Sequence, residues 1–129
     1  MTQATLIYEK DTNTGCEFWK ERSTGRVFRF RHGKYQKLYD SKGNITNIED
    51  DYRSAKFRYN DDNKICSEYH VFIDPDTKEK TEYRRWYRYD ENGKILSITD
   101  SYGNKEYFDI NGMPLYFISG KQLTFTLLV

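Results

Sequence analysis

Cys66, Glu68 and His70 lie within five residues of one another, and thiol, carboxylate and imidazole are the usual parts of an activated nucleophile. In an extended strand, though, four residues hold Cys66 and His70 roughly 13 Å apart, too far for a dyad. Glu68 and His70 are two apart and share a face, so they can touch as a carboxylate–imidazole pair, and an ordinary surface pair is the expectation, while a metal site would need at least one more ligand. His32, immediately before Gly33, reads as a turn residue. The acidic groups Glu49, Asp50, Asp51, Asp61 and Asp62 lack the alternating ligands, central glycine and closing glutamate of a calcium loop, and read as solvated charge. No glycine-rich phosphate loop, nucleophile elbow or His-Glu-x-x-His is present. With no acid, base and nucleophile converging, neither an enzyme nor a cofactor or metal is expected.

The run Arg84, Arg85, Trp86, Tyr87, Arg88 interleaves guanidinium and aromatic groups, as single-stranded nucleic-acid platforms do. The same residue types dominate protein–protein hot spots. The chain carries 21 basic and 20 acidic side chains, a formal net charge of +1, which gives no general field to draw in nucleic acid or an anionic membrane. We therefore take this run, with Glu68 and His70, as candidates for a protein interface; nucleic acid and membrane partners are not expected. Charge is nonetheless uneven. Residues 20–42 hold eight basic and two acidic side chains, residues 43–82 six basic and ten acidic. Pairing between oppositely charged neighbouring strands is the simpler account, and a two-signed docking surface the alternative.

Strands must position these groups. Of 129 residues, 12 are Tyr, 8 Phe and 2 Trp, so rings rather than aliphatic chains must fill most of the interior. The mean hydropathy of −0.97 is low, but a disordered chain would lack so many aromatic and β-branched residues. Thr24-Gly25, His32-Gly33, Lys42-Gly43, Asn92-Gly93, Gly103-Asn104, Asn111-Gly112 and Ser119-Gly120 each offer a residue that tolerates positive φ, and Asp74-Pro75-Asp76-Thr77 a proline turn. Between them, alternation assigns faces. Phe28 and Phe30 oppose Val27, Arg29 and Arg31. Ile65, Ser67, Tyr69, Val71 and Ile73 oppose Cys66, Glu68, His70 and Phe72. Tyr83, Arg85, Tyr87 and Tyr89 oppose Glu82, Arg84, Trp86 and Arg88. The last two segments, joined at Pro75, make one extended hairpin. A short helix over 47–56 competes, with Ile48, Tyr52 and Ala55 at helical spacing behind Asn47, but its β-rich neighbours favour strand. Leu123–Val129 reads as a closing strand. The expectation is a single all-β domain over 1–129. Its fold would be an antiparallel meander of about 8–11 short strands, one curled sheet or open barrel, built from hairpins of roughly 20 residues.

Those hairpins recur in the sequence. Tyr39-Asp40-Ser41-Lys42-Gly43-Asn44-Ile45 is echoed by Tyr59-Asn60-Asp61-Asp62-Asn63-Lys64-Ile65, by Tyr89-Asp90-Glu91-Asn92-Gly93-Lys94-Ile95, and more loosely by Phe108-Asp109-Ile110-Asn111-Gly112-Met113-Pro114. Tyrosine ends a strand, Asp or Asn accepts hydrogen bonds from its own turn, Gly or Asn takes the left-handed position, and isoleucine restarts the strand. Over residues 39–114 the chain resembles the YD-repeat (Rhs-type) family of bacterial β-rich proteins, and more faintly the MORN-like repeats of small antitoxin-type proteins. Large YD-repeat proteins wind many copies into a hollow shell around a toxin, and about four irregular copies are too few to enclose anything. The resemblance implies a bacterial origin and a polymorphic-toxin setting, in which small cytoplasmic β-proteins serve as immunity partners.

Cys16 and Cys66, 50 residues apart, form no disulfide framework and are expected to be free buried thiols. Residues 1–10 have no basic stretch followed by a long apolar run, so neither signal peptide nor membrane anchor is expected, and the address is cytoplasmic. The functional expectation is a non-enzymatic protein-binding protein, specifically an immunity protein that neutralises a cognate toxin. A carbohydrate or cell-surface binding module and an RNA-binding β-sheet protein are the alternatives. Exposed edge strands leave a homodimer open.

Overall fold

The computed structural model describes residues 5–120, so the expected closing strand at Leu123–Val129 lies outside the described residues. The fold is the expected all-β meander. Eleven strands run β1 (Leu6–Lys10), β2 (Glu17–Glu21), β3 (Val27–His32), β4 (Tyr35–Tyr39), β5 (Ile45–Glu49), β6 (Arg53–Tyr59), β7 (Ile65–Ile73), β8 (Lys80–Tyr89), β9 (Ile95–Asp100), β10 (Lys105–Phe108) and β11 (Pro114–Ile118). They form one open sheet in which order along the sheet is order along the chain. Two compact units divide it: residues 1–56 with 71–80, and residues 57–70 with 81–129.

Two turn types build eight of the ten hairpins between the described strands. In the first, an Asp or Asn ends the strand and its Oδ1 accepts the backbone N–H groups two and four residues on. Asp40 takes Lys42 and Asn44, Asn60 takes Asp62 and Lys64, Asp90 takes Asn92 and Lys94, and Asp109 takes Asn111 and Met113, all at 2.8–3.0 Å. The fourth turn residue is left-handed: Gly43, Gly93 and Gly112, with Asn63 taking the same place at φ 65°. A fifth copy, Asp100-Ser101-Tyr102-Gly103-Asn104, has the same bonds to Tyr102 and Asn104, both 3.0 Å. The second type is one residue longer and carries a threonine before its left-handed residue. Asp11–Cys16, Glu21–Arg26 and Asp74–Glu79 close with Thr14, Thr24 and Thr77 hydroxyls accepting the N–H two residues on.

No helix forms over 47–56. Asp50 Oδ1 accepts the N–H groups of Tyr52 and Arg53 at 2.9 and 2.8 Å, and Asp50 N–H donates to Arg53 O, which closes a tight β-turn. Ile48 and Ala55, seven apart, share a face because they are cross-strand partners.

Bulges adjust the faces. Tyr39 pairs with Ile45 while Lys37 pairs with Ile48, and Tyr89 pairs with Ile95 while Tyr87 pairs with Ile98. The extra residue lets two isoleucines three apart point the same way. A bulge opposite Trp19 and Lys20 likewise corrects the expected faces of β3: Val27, opposite Lys20, joins Phe30, opposite Phe18, instead of Arg29 and Arg31.

In the first unit, one face gathers Ile7, Phe18, Phe30, Ile48 and Ala55, with Phe18 and Phe30 rings 5.3 Å apart. The other face carries Tyr8, Trp19, Arg29 and Gln36. Tyr8 lies 5.1 Å from Trp19, the Arg29 guanidinium 4.5 Å above Trp19, and Gln36 accepts from Arg29 at 2.8 Å. Four ion pairs, Lys20–Glu9, Arg26–Glu21, Arg31–Glu17 and Lys34–Asp51, span 2.6–3.1 Å. Only Asp51 comes from the acidic stretch, so the basic stretch draws most of its partners from β1 and β2. Among the described residues only Ala55 and Ser97 are buried, and no large side chain is fully enclosed. The order comes from cross-strand pairs, each worth about 0.2–1 kcal/mol, in place of the usual two-layer core. Cys16 and Cys66 are free, as expected, but half-buried.

Candidate functional site

β7 and β8 are the longest strands, and every candidate from the sequence lies on them. From Glu82 to Tyr89 along β8 exposure alternates: Tyr83, Arg85, Tyr87 and Tyr89 are half-buried, Glu82, Arg84, Trp86 and Arg88 exposed. The Arg-Arg-Trp-Tyr-Arg run is therefore two surfaces. Arg85 and Tyr87 stand with Glu68 and His70 on one face, and Arg84, Trp86 and Arg88 stand on the other.

On the half-buried face Glu68 is the centre. Its Oε1 accepts His70 Nε2–H at 3.0 Å, a pair their spacing allows but half-buried where a surface pair is the expectation, and its Oε2 accepts the Tyr87 hydroxyl. Beside it runs a row of rings. Phe57 meets His70 edge-on at 5.8 Å, His70 lies 6.0 Å from Tyr83, and Tyr83 5.4 Å from Tyr102. Tyr83 donates its hydroxyl to Asp100 Oδ2 at 3.2 Å. Further along, Tyr89 donates to Ile65 O at 2.6 Å. A shallow cleft of about 40 Å³ is lined by Arg85, Ile98, Thr99, Asp100, Asn104, Glu106 and Phe117, room for about one water.

These contacts set protonation. Burial, and then the Glu68 carboxylate, push the Tyr87 phenol far above the usual tyrosine range. Burial and then Asp100 raise Tyr83. Burial alone would raise Asp100, but bonds from Asn104, Tyr83 and Tyr102 outweigh it and hold that carboxyl below its usual range. With both Glu68 oxygens engaged and Tyr87 retaining its proton, the trio is a support for the hairpin and supplies no activated nucleophile. Among the described residues no three His, Cys, Asp or Glu side chains converge to hold a metal.

The phenols give an alkaline prediction. A raised folded-state pKa contributes stability that is complete below the unfolded value of about 10 and is lost as pH rises through the folded value. Tyr83 and Tyr87 should therefore ionise only above the ordinary phenol range, and together with loss of the β-sheet circular dichroism signal. A single normal titration of all 12 tyrosines, with the sheet intact, would contradict the network.

On the exposed face Arg84 lies 4.1 Å over the Tyr69 ring, whose hydroxyl donates to Glu82 at 2.8 Å. Trp86 is 42% exposed. The register extends this face across β9, β10 and β11 through Ser97, Thr99, Lys105, Tyr107, Tyr116 and Ile118. None of these was singled out from the sequence. Each sits on a segment whose alternation is legible, but the bulges at Tyr89 and Phe108 shift the pairing that aligns them. Tyr107 and Tyr116 stack at 4.5 Å. No protein-family model matches the chain, and no curated protein matches it in sequence.

Proposed function

We propose that this chain is a non-enzymatic protein-binding protein, and that it acts as an immunity protein by covering a cognate bacterial toxin domain. One observation carries the reading. The sheet keeps its large side chains half-open on both faces. Thirteen large apolar or aromatic residues are exposed among the described residues, Trp86, Leu96, Tyr102, Leu115 and Phe117 of the second unit among them. A one-layer sheet that encloses no large side chain has apolar area left to bury against a partner. The rings and guanidinium groups on it are the types that concentrate binding energy. The toxin assignment rests on the Tyr-Asp-x-x-Gly hairpins and on the setting that their resemblance implies.

The test is genomic and biochemical together. A gene encoding a toxin domain is expected directly upstream, and co-expression of the two products should yield a one-to-one complex that survives gel filtration and suppresses the toxin's growth defect. An upstream product that neither co-elutes with this chain nor is neutralised by it would overturn the assignment.

A further inference from the structure

Strands β8 to β11 of the second unit share one face whose layout the register fixes, with Trp86, Arg88 and Lys105 its exposed members. Arg88, Ser97, Tyr107 and Tyr116 form one row across the strands, and Trp86, Thr99, Lys105 and Ile118 form the next. Rows two residues apart lie about 7 Å from each other, and neighbouring strands about 4.8 Å. β9 therefore contributes only two small hydroxyl residues between taller neighbours. The result is a trough, with Ser97 and Thr99 as floor, Trp86 and Arg88 along one bank, and Lys105 and Tyr107 along the other. Ser97 is 4% exposed, the lowest of any polar residue described, so the side chains of the two banks close over the floor and an occupant meets the banks, not the floor.

The banks are basic and unneutralised. Arg84, Arg88 and Lys105 are exposed, and none is ion-paired among the described residues. The Tyr69 ring holds the Arg84 guanidinium in place without cancelling its charge. On the opposite face of the unit stand Glu68 of β7, Asp100 of β9 and Glu106 of β10, with Arg85 of β8 beside them. The positive character thus belongs to the trough and not to the unit as a whole. From β8 to β10 the trough spans two strand spacings, about 9.6 Å, the width of one extended chain.

We infer that this trough docks an extended acidic segment of the protein partner, with carboxylates meeting Arg88 on one bank and Lys105 on the other and an apolar side chain covering Trp86. The inference rests on the protein-binding reading above and deepens it by naming the surface and the chemistry of the segment. A polypeptide fits better than a single nucleic-acid strand. Tyr107 and Tyr116 stack on each other at an interplanar angle of 21°, which uses a face of each ring. Trp86 is then the one widely open ring of the trough, where a strand of bases needs a succession of them. The net charge of +1 also offers a polyanion no general attraction.

Trp86 itself reports occupancy once Trp19, the second of the two tryptophans, is replaced by Trp19→Phe. Titrating a synthetic peptide of alternating glutamate and leucine should produce a saturable change in Trp86 emission. Arg88→Glu and Lys105→Glu should each weaken it about tenfold, while Lys42→Glu, in a turn of the first unit, should leave it unchanged. Both reversals are at exposed positions, and unchanged unfolding midpoints would verify that the sheet survives them. No saturable response, an affinity unchanged from the parent in both reversals, or binding of oligouridylate in place of the peptide would overturn the inference. The co-expressed toxin complex separates the two levels. A complex indifferent to Arg88→Glu and Lys105→Glu refutes the trough and leaves the protein-binding reading standing, whereas no complex refutes that reading itself.

Discussion

Replacing Glu68 with alanine is expected to cost the fold about 2–4 kcal/mol, read as a drop in urea midpoint at unchanged slope. The carboxylate is 14% exposed and the His70 ring 19%, so water replaces little of what is lost. Two hydrogen bonds to one charged acceptor disappear together, leaving the Tyr87 hydroxyl without its acceptor on a half-buried face. Each charged hydrogen bond contributes about 1.5–3 kcal/mol, and an orphaned partner adds a desolvation cost. Glu68→Gln keeps the shape and one carbonyl acceptor, and should cost less than half as much. The double variant Glu68→Ala with Tyr87→Phe should recover part of the loss, because no hydroxyl is then stranded. Strict additivity of the two single changes would mean that the Tyr87–Glu68 bond carries no energy.

Asp100→Ala should come second, at about 2–3 kcal/mol, and should exceed the same change at Asp109. Both aspartates close the same turn, each accepting two backbone N–H groups. Asp100 also accepts Asn104 Nδ2–H at 3.0 Å and the Tyr83 hydroxyl at 3.2 Å. It thereby ties the β9–β10 turn to the ring row through Tyr83 and Tyr102. Asp109→Ala loses the turn bonds alone, about 1 kcal/mol. The sign of the pH dependence follows from the same bonds. Asp100 is held below its usual range, as are Asp74, through the N–H groups of Thr77 and Asp76, and Glu21, through Thr24 and Ser23. Their contribution is complete above the unfolded carboxylate value of about 4 and is lost as pH falls through the lowered folded values. The urea midpoint of the parent chain should then fall below about pH 4, more gently in Asp100→Ala. Equal costs at Asp100 and Asp109 would show that the bond to Tyr83 adds nothing.

Strand existence and most faces were legible because a strand's period is two and Tyr, Phe, Ile and Val mark it. What escaped was where that period slips. Ile45 and Ile48, or Ile95 and Ile98, look like helical spacing until a bulge is placed between them. The helix considered over 47–56 drew on the same ambiguity, since Ile48 and Ala55 meet across a hairpin. The repeat was read from tyrosine and isoleucine, yet the turn itself needs only the aspartate and a left-handed residue. The copy at Asp100, preceded by Thr99 and followed by Asn104 and Lys105, lacks both markers and is therefore hidden as a repeat in the sequence. In the site, the Glu68–His70 contact was local and readable at two-residue spacing. Tyr87 meeting Glu68 depends on the register of two strands joined through the six-residue turn at Asp74–Glu79, and the sequence does not state that register. The Arg84–Arg88 run looks like one patch from its residue types, but the strand period divides it between two faces.

Among the described residues each strand pairs along the sheet only with the strands before and after it in the chain. Such an arrangement has no distant contact that must break before the rest can melt, so it behaves as a zipper with nearest-neighbour coupling. Amide protons should exchange fastest at the two outer strands and slower toward the middle, with opening free energies graded strand by strand. A partner that clamps several adjacent hairpins would abolish that gradient, and the number of strands whose exchange slows would measure its footprint directly.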